Sequence, residues 1–207
     1  MKTTVQAGRE RAVPRWSAGP IREQILACAA RAFVRRGVGA ATVRDIAREA
    51  GCTAGSLYTY FKGKEELVTA LRDHLQTGLL ATFAVPTPGG LGFRQRLESL
   101  LTRQFEFMKR HGEALMLLAG SEHSQGDKPG SPHRGKYLKA LQEWFGREAR
   151  PGDLGTYSAV EAAPVLVGIA MTLFGMPGSA SKVPDSRSVV PRLLDLFFHG
   201  VRGAKTK

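Results

Sequence analysis

The chain has 207 residues, 43% hydrophobic and 23% charged, with 30 Lys/Arg against 18 Asp/Glu for a net charge of +12. That length buries a real core, enough for one large or two small domains. The two cysteines, Cys28 and Cys52, exclude a disulfide framework and fit a reducing cytoplasm.

Residues 1–19 are polar, lack an apolar run of signal-peptide length, and read as a flexible basic arm carrying Lys2, Arg9, Arg11 and Arg15 against Glu10. Two readings of the arm stand: an extension that tracks DNA beside the reading helix, or a tail with incidental charge. Trp16 is placed to pack back onto the first helix. That helix is predicted from about Pro20 to Arg36, with Ile25, Ala29 and Phe33 at i, i+4, i+8 and Gly37 as its stop. Thr42 then caps a short helix, and Asp45 three residues on completes a capping box. Val43, Ile46, Ala47 and Ala50 share one face, and Gly51 ends the helix because glycine enters the left-handed conformation without steric cost. Thr53 caps a second helix whose apolar residues, Leu57 and Phe61, sit four apart. Its outward positions Thr53, Ala54, Ser56, Tyr58, Thr59 and Tyr60 are small or hydrogen-bonding. A helix with that face fits the major groove, so the pair reads as a helix-turn-helix. A further helix follows, with Leu67, Val68, Leu71 and Leu75 facing inward. Residues 1–72 carry 13 Lys/Arg against 6 Asp/Glu, so positive density is highest around this motif, as a polyanion-binding surface requires.

The segment from Ile21 to about His74 resembles the N-terminal domain of the TetR family of bacterial transcriptional regulators. The matching elements are T-V-R-D-I-A-x-x-A-G at Thr42–Gly51, G-S-L-Y-x-Y-F-x-x-K-E-E-L at Gly55–Leu67, and a loosely spaced series of Ile, Ala-Ala, Phe and Gly over Ile25–Gly39. Cys52 stands where an aliphatic residue is usual, and Thr59 where histidine is common. The resemblance implies that Arg44, Lys64 and the hydroxyls of Thr42, Thr53, Tyr58 and Tyr60 bind phosphates. Ser56 and Thr59, with Ala54 against a thymine methyl, would read bases, and Val43 and Gly55 complete the DNA-facing set.

The domain plan is an arm at 1–19, a helix-turn-helix domain at 20–66, a connecting helix at 67–84 and an all-helical domain at 85–207. VPTPGGLG, Val85–Gly92, marks the boundary. Helices are then predicted at Phe93–His111, Glu113–Glu122, His133–Arg147, Tyr157–Phe174 and Ser188–Val201. The fold class is therefore all-α. From Ala162 to Ser181 no residue is charged, but Pro164, Gly168, Gly175, Pro177 and Gly178 argue against a membrane span. This helix and the last one are apolar beyond a single stripe. Either both are internal core, or they pair with their copies in a homodimeric four-helix bundle. In the second case Ala159, Ala163, Ala170 and Gly200 permit close approach, with Leu166, Leu193, Leu196 and Phe197 on the interface. Two-fold symmetry would then demand a palindromic operator in double-stranded DNA.

Family resemblance also implies a cavity for a small hydrophobic effector. Its candidate lining is Phe105, Met108, Met116, Leu117, Trp144, Phe145, Tyr157, Met171 and Phe174, with Glu161 as a charged neighbour. The expected function is a repressor released by that effector. The alternative is a dimeric DNA-binding regulator without small-molecule control, and a solidly packed core would favour it. No cofactor or metal site is expected, because His74, His111, His123, His133 and His199 are scattered. Nor is an enzyme, because Gly89, Gly90 and Gly92 lack the spacing of a phosphate loop and no nucleophile elbow occurs.

Overall fold

The computed structural model describes residues 21–123, 132–174 and 185–202, with side chains at 115–117, 119–123, 132–134, 174 and 200–202 left outside the description. The basic arm with Trp16, and the loop between His123 and His133, lie outside the described residues. All regular elements among the described residues are helical: α1 Ile21–Ala40, α2 Val43–Glu49, α3 Ala54–Tyr58, α4 Lys64–Ala81, α5 Phe93–His123, α6 Pro132–Glu148, α7 Ala159–Phe174 and α8 Ser186–Arg202. A 3₁₀ turn, Thr82–Ala84, closes α4. None of these helices is long and apolar enough to cross a membrane. The chain divides into two compact units after Leu71, inside α4.

In the first unit, α1 is interrupted at Gly37, whose φ of 77° and ψ of 152° leave helical space. The interior is made of Ile25, Ala29, Phe33, Ile46, Leu57, Phe61, Leu67 and Leu71, all essentially without exposure. Arg31 and Arg35 both reach Glu49, and Arg36 lies 3.4 Å from Asp45, so three arginines of α1 hold α2. Exposed pairs of this kind contribute up to about 1 kcal/mol each, so burial decides the packing and the ion pairs orient it.

In the second unit α5, α6, α7 and α8 enclose a core of Leu97, Leu100, Phe105, Leu141, Trp144, Phe145, Leu166, Leu193 and Phe197. Phe93 sits at its centre of aromatic contacts, 5.9 Å from the rings of both Trp144 and Phe145 and 6.1 Å from Phe198. The Arg96 guanidinium, 3.2 Å from Glu148 Oε2, also donates to the Glu148 carbonyl at 2.7 Å and so clips the end of α6 to α5. A buried polar chain runs beside this core. Tyr137 Oη donates to Gln104 Oε1 at 2.8 Å, and Gln104 Nε2 donates to Thr82 Oγ1 at 3.3 Å.

The expected break between His111 and Glu113 does not occur. Phe93–His123 is one helix of 31 residues, with Gly112 buried inside it. A mid-helix glycine costs about 1 kcal/mol relative to alanine, which packing on both sides offsets. The second unit therefore has four described helices beyond α4 rather than five.

Candidate functional site

The local chemistry of the helix-turn-helix follows from two hydroxyl caps. Thr42, extended at φ −111° and ψ 160°, accepts from the Asp45 amide at 3.2 Å. Asp45 Oδ2 in turn accepts from the Thr42 amide at 3.0 Å and from its hydroxyl at 2.7 Å. These bonds from Thr42, aided by the charges of Arg36 and Arg48, hold the Asp45 carboxyl below its ordinary 3.8. Gly51, at φ 65°, makes the turn. Thr53 then caps α3: its Oγ1 accepts from the Ser56 amide at 3.1 Å and lies 2.9 Å from Ser56 Oγ. At the other end Thr59 Oγ1 donates to the Ser56 carbonyl at 2.7 Å.

Leu57, with no exposure, is the nail that fixes the rotation of α3, and Phe61 just beyond it is buried too. Fixing that side inward leaves Thr53, Gly55, Tyr58 and Thr59 exposed, Tyr58 at 54%. Ala54, Ser56, Tyr60, Val43 and Lys64 are half-buried around them, and Arg44 is exposed. A Cβ added to Gly55 would meet only Thr53 Oγ1 at 3.7 Å, an ordinary contact, so packing within the protomer does not require glycine there.

Two features escaped sequence reasoning. The Lys64 ammonium donates to the Gly39 carbonyl at 2.7 Å, which ties the start of α4 to the end of α1. Arg22 sits 4.2 Å over the Phe61 ring and donates to the Tyr60 carbonyl at 2.9 Å, so α1 props the segment after α3. The partners stand 25 and 38 residues apart, and no local pattern announces them. Glu66 is pulled below its ordinary value, first by the Lys62 amide it accepts and then by Arg22. Cys28 and Cys52 are both pushed upward, chiefly by burial, which leaves them as poorly reactive thiols.

The effector and dimer expectations fare unevenly. Phe105, Trp144 and Phe145 pack into the core of the second unit, and Met108 is half-buried against it. Tyr157 and Met171 are exposed. The side chains of Met116, Leu117 and Phe174 lie outside the described residues. Glu161 is accounted for locally: it accepts from the Ser158 amide and hydroxyl at 2.9 and 2.7 Å, capping α7.

Of the interface candidates, Ala163, Leu166, Leu193 and Phe197 are buried within the protomer's own core. A side chain covered within one copy leaves little surface to bury against a second. Ala159 and Ala170 are half-buried and Leu196 is 51% exposed; the Gly200 position lies outside the described side chains. The outward apolar residues are instead Val160, Val165 and Met171 on α7 and Leu196 on α8.

Residues 25–71 match the family model of bacterial regulatory proteins of the tetR family. The N-terminal unit is similar to the DNA-binding segment of that family. Over 85 residues the chain is 39% identical to the HTH-type transcriptional repressor KstR2 of Rhodococcus jostii, covering 41% of this chain and 42% of that protein. Over 54 residues it is 52% identical to the HTH-type transcriptional regulator TtgR of Pseudomonas putida, covering 26% of each chain. The matched segment thus spans less than half the length of these relatives. The fold extends further: a structure of the regulator FadR of Bacillus subtilis in complex with stearoyl-CoA superposes with a TM-score of 0.65 at 19% identity. That superposition covers 86% of this chain and 98% of that one.

Proposed function

We propose that this chain is a sequence-specific DNA-binding transcriptional regulator, acting as a homodimeric repressor on a palindromic operator and released by a small hydrophobic effector. The observation that carries the reading is the anchoring of α3 by Leu57, which turns the hydroxyls and Tyr58 outward together on a domain rich in arginine. In this reading Arg44, Lys64, Thr42, Thr53, Tyr58 and Tyr60 hold phosphates, while Ser56, Thr59 and Ala54 read base edges. Val43 and Gly55 let the backbone approach. The cap that Thr53 makes does not bar this role, since its hydroxyl accepts from the Ser56 amide and keeps a proton to donate, whereas Thr42 reaches a phosphate by withdrawing the proton it gives to Asp45 Oδ2. The exposed apolar residues of α7 and α8 support a second copy as partner, with Leu196, Ala159 and Ala170 on the shared face. Repression is supported by the KstR2 likeness, and control by a ligand by the FadR complex with stearoyl-CoA.

A second reading has its own support: the tight packing of Phe105, Trp144 and Phe145 suits a regulator without small-molecule control. Fluorescence anisotropy of the full chain on the DNA upstream of its own gene, against a scrambled duplex and over several salt concentrations, tests the first part. Salt-sensitive binding at two chains per site that prefers the native duplex is expected. Specific binding left unchanged in the dimeric double variant Tyr58→Ala, Lys64→Ala would sink the reading.

A further inference from the structure

Two open clefts mark the second unit. One, of about 300 Å³, lies beside Phe83 and Trp144 and includes Arg147 and Glu148, whose side chains pair with each other at 3.2 Å. Its charges are balanced. The other, of about 380 Å³, runs between α4 and α5 and is lined by Gly78, Ala81, Thr102, Arg103, Phe107 and Arg110, among others. Its charges are not.

Arg103 and Arg110 are seven residues apart, two turns along one face of α5. The Nε of Arg103 is buried with no hydrogen-bond partner among the described residues, and its terminal nitrogen makes only a long 3.5 Å contact to the Val85 carbonyl. Arg110 Nε donates to the Glu106 carbonyl of its own helix at 3.3 Å. The one carboxylate of the cleft, Glu106, accepts from Ser186 Oγ at 2.8 Å. The Arg103 Nε is withdrawn from water with no anion beside it while the rest of the side chain is only partly covered, and that desolvation pushes Arg103 below its ordinary value. Carboxylate and phosphate are the groups that match its donor fork. The remaining wall is mostly apolar, formed by Ala81, Val85 and the Phe107 ring with Thr82 and Thr102 between them. That ring lies so close to α4 that a Cβ on Gly78 would come within 2.7 Å of it.

We propose that the cleft between α4 and α5 binds an amphiphile with a carboxylate or phosphate head, held by Arg103 and Arg110, with its apolar body against Ala81 and Phe107. The proposal rests on the regulator reading and names the chemical class of its effector. At roughly 30 Å³ per water-sized group, the space takes about a dozen non-hydrogen atoms, which suits a medium-length chain.

The test is isothermal titration calorimetry of the full chain with octyl phosphate and octanoate, using octanol and octyltrimethylammonium as uncharged and cationic controls. Saturable binding of at least one anion, at least about tenfold tighter than octanol, is expected, and the stronger of the two identifies the head group. Arg103→Gln and Arg110→Gln should each weaken it about tenfold while leaving the ligand-free affinity for the specific duplex and the melting temperature unchanged. If Arg103→Gln does not fold, the exposed Arg110→Gln supplies the same comparison. Bound anion should also shift the duplex affinity. Octanol binding as tightly as the anions, unchanged affinity in the arginine variants, or binding without a shift on DNA each overturns the proposal. Specific DNA binding by the ligand-free chain keeps these failures separate from failure of the regulator reading.

Discussion

Leu57→Ala is the sharpest test of how α3 is held. The side chain has no solvent exposure and is the one buried residue of a helix only five residues long. Removing three carbons there forfeits their transfer free energy and leaves a cavity that a short helix between two turns fills poorly. About 3 kcal/mol is expected, within the range of roughly 2.7–5 measured for fully buried Leu→Ala changes. For a unit of this size each kcal/mol lowers the melting temperature by about 4–8 °C, so a fall of about 12–24 °C is expected in the transition of the first unit. Differential scanning calorimetry of the full chain reads it, with the second unit as an internal reference. Tyr58→Ala, one residue on but half in solvent, is the control. It should change stability by less than about 0.5 kcal/mol. Yet it removes a phosphate contact from each half-site, at about 1–1.5 kcal/mol apiece, and so weakens operator binding by roughly 30- to 150-fold in a dimer. A Leu57→Ala loss below about 1 kcal/mol, or equal effects of the two variants on melting, would refute the claim that burial of Leu57 orients the face.

Four further outcomes follow from named contacts. Thr42→Ala removes the side-chain half of the cap on α2 and the hydroxyl bond to Asp45 Oδ2, keeps the main-chain half, and should cost about 1 kcal/mol in urea denaturation at neutral pH. Because Asp45 is depressed when folded, its contribution is present above the unfolded value of about 3.8 and is lost as pH falls through the folded value. The gap between wild type and Thr42→Ala should therefore narrow on acidification as the hydroxyl bond to the carboxylate weakens, with the carboxyl followed by NMR. Gly78→Ala brings a methyl against the Phe107 ring and should destabilise by about 1 kcal/mol. In a Phe107→Ala background it should instead stabilise by up to about 1 kcal/mol through helix propensity; equal effects in both backgrounds would remove the close approach as the cause. Arg44→Gln should lower the slope of log affinity against log salt by about 0.9 per half-site, read by anisotropy. Leu196→Glu, at an exposed apolar position, should shift sedimentation equilibrium toward monomer with the helix content retained; an unchanged dimer would place the interface elsewhere.

The helix-turn-helix was legible because its signals are local. A hydroxyl cap, an acidic residue three on, a left-handed glycine and a four-residue apolar spacing each act within one turn of chain. They specify Thr42–Asp45, Gly51 and Thr53–Ser56 without reference to anything distant. The long helix was misread for the same reason: Gly112 is a break signal by itself, and only its burial within Phe93–His123 overrules it.

In the apolar helices α7 and α8 sequence alone determined that more than one face is greasy, and tertiary structure decided which face is which. Ala163, Leu166, Leu193 and Phe197 turn into the core they share with Phe93, Trp144 and Phe145, whereas Val160, Val165 and Leu196 remain outside. Periodicity cannot separate two apolar faces; only the neighbour that buries one of them can. The same holds for Arg22 on Phe61, Lys64 on Gly39 and the cleft of Arg103. Each depends on residues far apart in sequence, brought together by packing that no local pattern encodes.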